Sequence, residues 1–175
     1  MCSEEFQQIL EQLNATGKMK ADGYDLLLFK KLDAEELHKA EDLLIEAIYQ
    51  GDWNGIDALI EIGSSKSIET LEVVFPKINK NRFLKFKVAH YLFDATRKKY
   101  YADFITPHLE EYEDTDKISV IRYMPKLKNP KNYTALLLGT AQHDNNKIVR
   151  FYSGIYLLII YGFLNDENSV EDYRP

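Results

Sequence analysis

A chain of 175 residues, 45% of them hydrophobic, can bury a continuous core, which excludes disorder over most of its length, and 1–175 reads as a single domain. The net charge is −6, with 16 acidic against 6 basic residues over 1–72, 4 against 8 over 73–112 and 8 against 8 beyond. Such a balance argues against nucleic acid as the main ligand, because phosphate binding is driven by clustered cations, and suits either a basic protein partner or a solvated acidic surface kept for solubility.

Strand alternation is nowhere sustained, whereas helical spacing and helix punctuation recur, so the fold class is all-α. A first helix is predicted from about Ser3 to Leu13, with Phe6, Ile9, Leu10 and Leu13 on one face, fraying over Asn14 to Gly23. The opening Met-Cys-Ser-Glu-Glu has neither the basic nor the apolar region of a signal peptide. The lone Cys2 cannot form an internal disulfide, in keeping with a reducing compartment, and the expected location is cytoplasmic. A short apolar helix or turn comes next, over Tyr24 to Leu32. Asp33 reads as an N-cap with Glu36 closing a capping box, and the helix it opens carries Leu37, Ala40, Leu43, Leu44, Ala47 and Ile48 before Gly51 stops it. Residues 1–51 are thus expected to be N-terminal capping helices. Trp53 either seals the join between these helices and the rest of the chain or belongs to an interface.

From there the pattern repeats. Leu59 and Ile62 end one helix, a break comes at Gly63-Ser64-Ser65, and Ile68 and Leu71 open the next. Leu92, Ala95, Tyr101 and Phe104 repeat those steps, as do Met124, Leu127, Tyr133 and Leu136. Leu158 and Tyr161, with Gly162 directly after, fit a fourth register in which Val170 holds the last place and Glu167 breaks the third. A period of this length denotes stacked supersecondary units that cannot bury their faces alone. Three departures are visible. Ala95-Thr96 replaces the glycine break, Pro107 sits within or just after the second helix of its repeat, and Pro125 is expected to kink the first helix of the third. The longest apolar run, Ile155 to Leu164, falls short of the roughly 18–20 residues of a membrane span.

The stretch from Ala58 to Leu71 resembles the short HEAT-like repeat, in which an Ala-Leu-x-x-Leu-Gly helix end meets a second helix. Lys147-Ile-Val-Arg150 and Ile118-Ser-Val-Ile-Arg122 are similar to the first-helix Val-Arg signature of such repeats. The likeness covers about Trp53 to Gly162. It implies a right-handed α-α superhelix of stacked helical pairs over 52–164, with 165–175 as a tail or partial helix. Proteins of this kind serve as scaffolds, lyase-like subunits and binding platforms alike.

No constellation of residues points to catalysis. His38, His90, His108 and His143 are scattered without ligand spacing, His90 and Asp94 read as a packed or surface pair, and no metal or cofactor is expected. Adjacent carboxylates at Glu35-Glu36 and Glu110-Glu111 point in different directions on a helix.

The twelve tyrosines are more informative. Tyr101 and Tyr133 fall on the repeat register as core, while Tyr100 and Tyr112 fall off it and are expected to be exposed beside acids, the composition of a protein-binding hot spot. In a solenoid the second helices of successive pairs line one surface. Glu69, Glu72, Tyr100 and Asp103 are therefore predicted to share a face bordered by Glu110, Glu111, Tyr112, Glu113 and Asp114. The expected function is non-catalytic protein binding. In size, charge and fold the chain resembles bacterial immunity proteins of contact-dependent or polymorphic toxin systems, which implies a basic nuclease toxin as partner, without nucleic acid or membrane. A HEAT-like scaffold or adaptor, or a lyase-type enzyme subunit, is the alternative.

Overall fold

The computed structural model describes residues 2–15, 23–105 and 107–166. Among them there is no strand, and helix accounts for well over half. The α-helices are α1 (Glu4–Asn14), α2 (Leu26–Phe29), α3 (Ala34–Tyr49), α4 (Ile56–Ile62), α5 (Ser65–Val74), α6 (Arg82–Thr96), α7 (Asp114–Tyr123), α8 (Thr134–His143) and α9 (Lys147–Ile160), with short 3-10 turns between several of them. The chain divides into two compact units, one of residues 1–79 and 87–105, the other of 80–86 and 106–175. Helix α6 contributes to both.

In the N-terminal unit, α1 starts at Ser3, whose hydroxyl accepts from the Phe6 N–H at 3.1 Å, and buries Phe6 and Ile9. Asp33 caps α3 as expected, accepting from the Glu36 N–H at 2.8 Å. The Glu36 carboxylate does not turn back to complete a capping box. It accepts instead from the N–H and hydroxyl of Ser3, at 2.6 and 2.7 Å, because the N-cap end of α1 presents donors that no helical carbonyl can serve. Glu36 thus joins α1 to α3. Ala40, Leu44, Ile45 and Ile48 form the buried stripe of α3, and Gly51 lies just past its end at a φ of +99°, open to glycine and costly for other residues. Trp53 opens the 3-10 turn Trp53–Gly55 and is half-buried. At Gly55 a Cβ would come within 3.3 Å of Leu44 and Ile48, so the glycine lets this turn lie against α3.

Helices α4 and α5 form a packed pair broken where expected, with Gly63 at a φ of +64° and the Ser64 hydroxyl accepting from the Ser67 N–H. Buried Glu41, on α3, accepts from two hydroxyls of this junction, Ser64 and Ser67, the latter at 2.5 Å. Where Ala95-Thr96 replaces the glycine, the left-handed residue after α6 is Arg97, at a φ of +56°. The second helix expected of that repeat is only a six-residue 3-10 turn, Lys99–Phe104, and Pro107 comes after it, buried.

The C-terminal unit packs α9 against α7 and α8. Its core gathers Phe86 from α6, Leu109, Val120, Ile121 and Met124, then Tyr133, Leu137, Val149 and Tyr156. Edge-on aromatic contacts tie α6 into it, Phe83 to Tyr123 at 5.8 Å and Phe86 to Tyr133 at 6.2 Å between ring centres. Pro125 ends α7 instead of kinking it. The helix stops at Tyr123, and Met124–Lys126 continues as a 3-10 turn, because proline has no N–H for the helical ladder and its ring crowds the preceding turn. The α8–α9 junction is polar. Asp144 accepts from Lys117 of α7 at 2.9 Å and from the Asn146 N–H at 2.8 Å, while Arg150 donates to the Asp144 carbonyl at 2.6 Å.

The repeat register selects inward residues well in the first half and loses them in the last. Leu59, Leu71, Leu92, Tyr101, Met124 and Tyr133 are buried. Ile62, Phe104, Leu127 and Leu136 are half-buried, and Ala95 is exposed. In the fourth register Leu158 and Tyr161 are 45% and 54% exposed, contrary to a core role. From Phe151 to its end helix α9 carries no charged residue on any side, so spacing alone cannot say which side faces the core. It is Val149, Ser153, Ile155 and Tyr156 that turn inward. Glu167 and Val170 lie outside the described residues.

Candidate protein-binding surface

The residues expected on one face divide between the two units. Glu69, Glu72, Tyr100 and Asp103 belong to the N-terminal unit. Glu69 is exposed on α5. Glu72, one turn further, is half-buried and already engaged, its carboxylate accepting from Lys98 Nζ at 2.6 and 2.8 Å and from the Tyr101 hydroxyl at 3.1 Å. Burial, then the charge and hydrogen bond of Glu72, push the Tyr101 hydroxyl up to about 12, so it stays a neutral donor. Glu72 therefore fastens the Lys99–Phe104 turn to α5 and is not a carboxylate held ready for a partner.

Tyr100 is placed differently. Its side chain is 54% exposed, yet the ring is rooted edge-on against Phe75, Tyr101 and Phe104 at centroid distances of 5.9, 5.3 and 5.4 Å. Fully buried Phe75 forms the base of this cluster, itself edge-on to Tyr101 at 5.2 Å and Phe104 at 5.0 Å. A ring held by three neighbours loses little freedom when its open side is covered, which is the property of a binding anchor. Asp103 is exposed on the same 3-10 turn. Two features escaped the sequence reading. Val73 beside Glu72 is 54% exposed and adds apolar surface. Lys98 and Lys99, immediately before Tyr100, are exposed cations. The doublet is plain in the sequence, but whether a lysine faces its own chain or a partner depends on which carboxylate lies beside it.

Glu110, Glu111, Tyr112, Glu113 and Asp114 belong to the C-terminal unit, where most have internal tasks. Glu111 pairs with Arg82 at 3.2 Å. Tyr112, expected to be exposed, is half-buried against the core, with the Arg82 guanidinium 5.0 Å above its ring. Burial pushes its hydroxyl above the usual tyrosine value, with the Arg82 charge acting the other way. The Leu109–Glu111 turn directs Tyr112 inward while its acidic neighbours stay outside, a distinction that local composition cannot make. Asp114 accepts from Asn146 Nδ2 at 2.6 Å. Glu110 and Glu113 are exposed, and Glu110 lies 3.5 Å from His108.

His90 is half-buried, and burial lowers its pKa against the opposing charge of Asp94. His38 lies 3.7 Å from Asp42. Among the described residues no group of three or more His, Cys, Asp or Glu could hold a metal ion, and no helix is long and apolar enough to cross a membrane. Cys2 is exposed. No protein-family model, no curated protein and no solved structure matches the chain.

Proposed function

We propose that this chain is a non-catalytic protein-binding module of the HEAT-like helical-repeat type, and more specifically a cytoplasmic immunity protein that binds and neutralises a basic bacterial nuclease toxin. The observation that carries the binding reading is Tyr100, a half-exposed ring rooted on three aromatic neighbours, with exposed Asp103 on the same turn and Glu69 and Val73 exposed on α5. An apolar anchor with an exposed carboxylate on its own turn suits a cationic protein surface. Charge supports the sign of the partner. The N-terminal unit carries 18 acidic against 11 basic residues, and the C-terminal unit 10 against 11. The α4–α5 and α8–α9 pairs support the repeat reading.

The test is capture of the partner by the tagged full chain, then binding and toxin-inhibition measurements with Tyr100→Ala and with Asp103→Lys. Truncating the anchor should cost about 2 kcal/mol or more. Reversing Asp103 should slow association and reduce its salt dependence, with a smaller effect on dissociation. Wild-type affinity in Tyr100→Ala, with its helical content unchanged, removes this surface from the interface. A captured partner without toxic activity replaces the immunity reading with that of an adaptor.

A further inference from the structure

Helix α9 presents an apolar face that the C-terminal unit does not cover. Ile148, Phe151 and Leu158 follow one another along it in steps of three and seven, the spacing by which one helix meets another along a seam, with buried Ile155 at its inner margin. Ile148, Phe151 and Leu158 are each about half-exposed, and Phe163, just beyond the helix, is 76% exposed. Between them runs a groove of about 640 Å³ lined by Phe151, Gly154, Ile155, Leu158 and Phe163. The opposite side of the helix, with Val149, Ser153 and Tyr156, is already in the core. A helix apolar on every side is one that is covered on every side.

We infer that this face is the interface of a homodimer, covered by the same face of a second copy of the chain. Three observations select that occupant. First, the sequence from Phe151 to Asn165 contains no charged residue, and Arg150 at its edge is engaged with the Asp144 and Asn145 carbonyls. The one further cation, exposed Lys147, stands at the first residue of the helix, so a partner recognised by charge finds little to pair with along the face, whereas an identical, nearly neutral face docks without strong like-charge repulsion. Second, Gly154 sits in the middle of α9, where it costs about 1 kcal/mol relative to Ala, although an added methyl would meet nothing within 4 Å in its own chain. The backbone is left bare where a second helix would approach most closely. Third, the area approaches what a stable interface needs. With about 150–250 Å² for a whole aromatic side chain and about half of each exposed, Phe151, Leu158, Tyr161 and Phe163 with Leu138 and Ile148 offer on the order of 500–600 Å². Flanking backbone brings this towards the roughly 800 Å² per partner of a stable interface. A two-fold pairing is isologous, so one self-complementary patch is enough.

This interface shares no residue with the Tyr100 surface, and neither reading depends on the other. The experiment is sedimentation velocity of the full chain from about 1 to 100 µM, with Phe151→Glu, Leu158→Glu and Gly154→Ala. The wild type should reach about twice its 20.4 kDa mass within that range. Each glutamate should weaken self-association by about 100-fold or more, since it buries an unpaired charge. Gly154→Ala should weaken it while raising the thermal midpoint of the isolated chain, an opposition that a purely internal role for the glycine would not produce. Tyr100→Ala should leave the mass unchanged. A wild type monomeric to 100 µM overturns the inference, including one that binds an added amphipathic peptide in this groove. A dimer that persists in both glutamate variants overturns it equally.

Discussion

The two helix-pair junctions solve one problem with opposite chemistry. In the N-terminal unit the turn between α4 and α5 is rich in donors, the Ser64 and Ser67 hydroxyls, and α3 supplies an acceptor, buried Glu41. In the C-terminal unit the turn between α8 and α9 centres on an acceptor, Asp144, and α7 supplies a donor, Lys117. In both cases the helix preceding the pair reaches across to satisfy polar groups that close packing takes from water. One junction is a carboxylate among hydroxyls, the other an ion pair between side chains only 12% and 9% exposed.

The largest effects should come from the cores on which the comparison rests. Leu92→Ala in the N-terminal unit and Leu137→Ala in the C-terminal unit each remove a fully buried leucine. Each should lower stability by about 2–5 kcal/mol in chemical denaturation. An unchanged midpoint in either would break the assignment of that residue to its core.

Lys117→Met sharpens the contrast between junctions, with an expected loss of about 1.5–3 kcal/mol at neutral pH, the worth of a hydrogen bond between charged groups. For Asp144, burial acts to raise the pKa, but the Lys117 hydrogen bond, the Asn146 N–H and the charges of Lys117 and Arg150 outweigh it, and the net shift is downward. Lys117 is raised, chiefly by its hydrogen bond to Asp144. A depressed carboxylate stabilises above its unfolded pKa and ceases to do so as pH falls through the folded value. A raised lysine stabilises below its unfolded pKa and ceases to do so as pH rises through its folded value. The penalty of Lys117→Met should therefore be full between about pH 4 and pH 10 and should shrink outside that window. A penalty of equal size at pH 3 would show that Lys117 acts by packing alone.

Ser67→Ala probes the other junction. It removes one of the two hydroxyls on Glu41 and should cost about 1 kcal/mol, read from the same denaturation curves. No loss would show that Ser64 alone satisfies the carboxylate.

The smallest effects contrast two helix ends within the N-terminal unit. Gly63→Ala forces a side chain into left-handed backbone, where the methyl meets only ordinary contacts, and should cost about 1 kcal/mol. Arg97 occupies the same backbone region without being glycine, in an exposed pairing with Asp94 at 3.2 Å. Arg97→Gly should stabilise by less than about 1 kcal/mol, because relief of backbone strain exceeds the loss of an exposed ion pair. Destabilisation by Arg97→Gly would show that its side chain has a larger task in holding the turn.

Local features were legible in the sequence alone. Helical spacing made the chain all-α, Asp33 capped the helix it precedes, and Gly51 and Gly63 marked breaks, because caps and left-handed turns are decided within a few residues. Packing alone settled the matters that depend on a neighbour distant in sequence. Glu36 left its capping box for Ser3, Glu72 was taken by Lys98 and Tyr101, and Tyr112 turned inward under Arg82 while Tyr100 stayed half-exposed. The register failed where α9, from Phe151 on, carries no charged residue on any side, since a spacing rule finds the core face of a helix only when the other face is polar. A carboxylate or a tyrosine looks the same in the sequence whether it faces its own chain or a partner, and only the side chains packed beside it settle which.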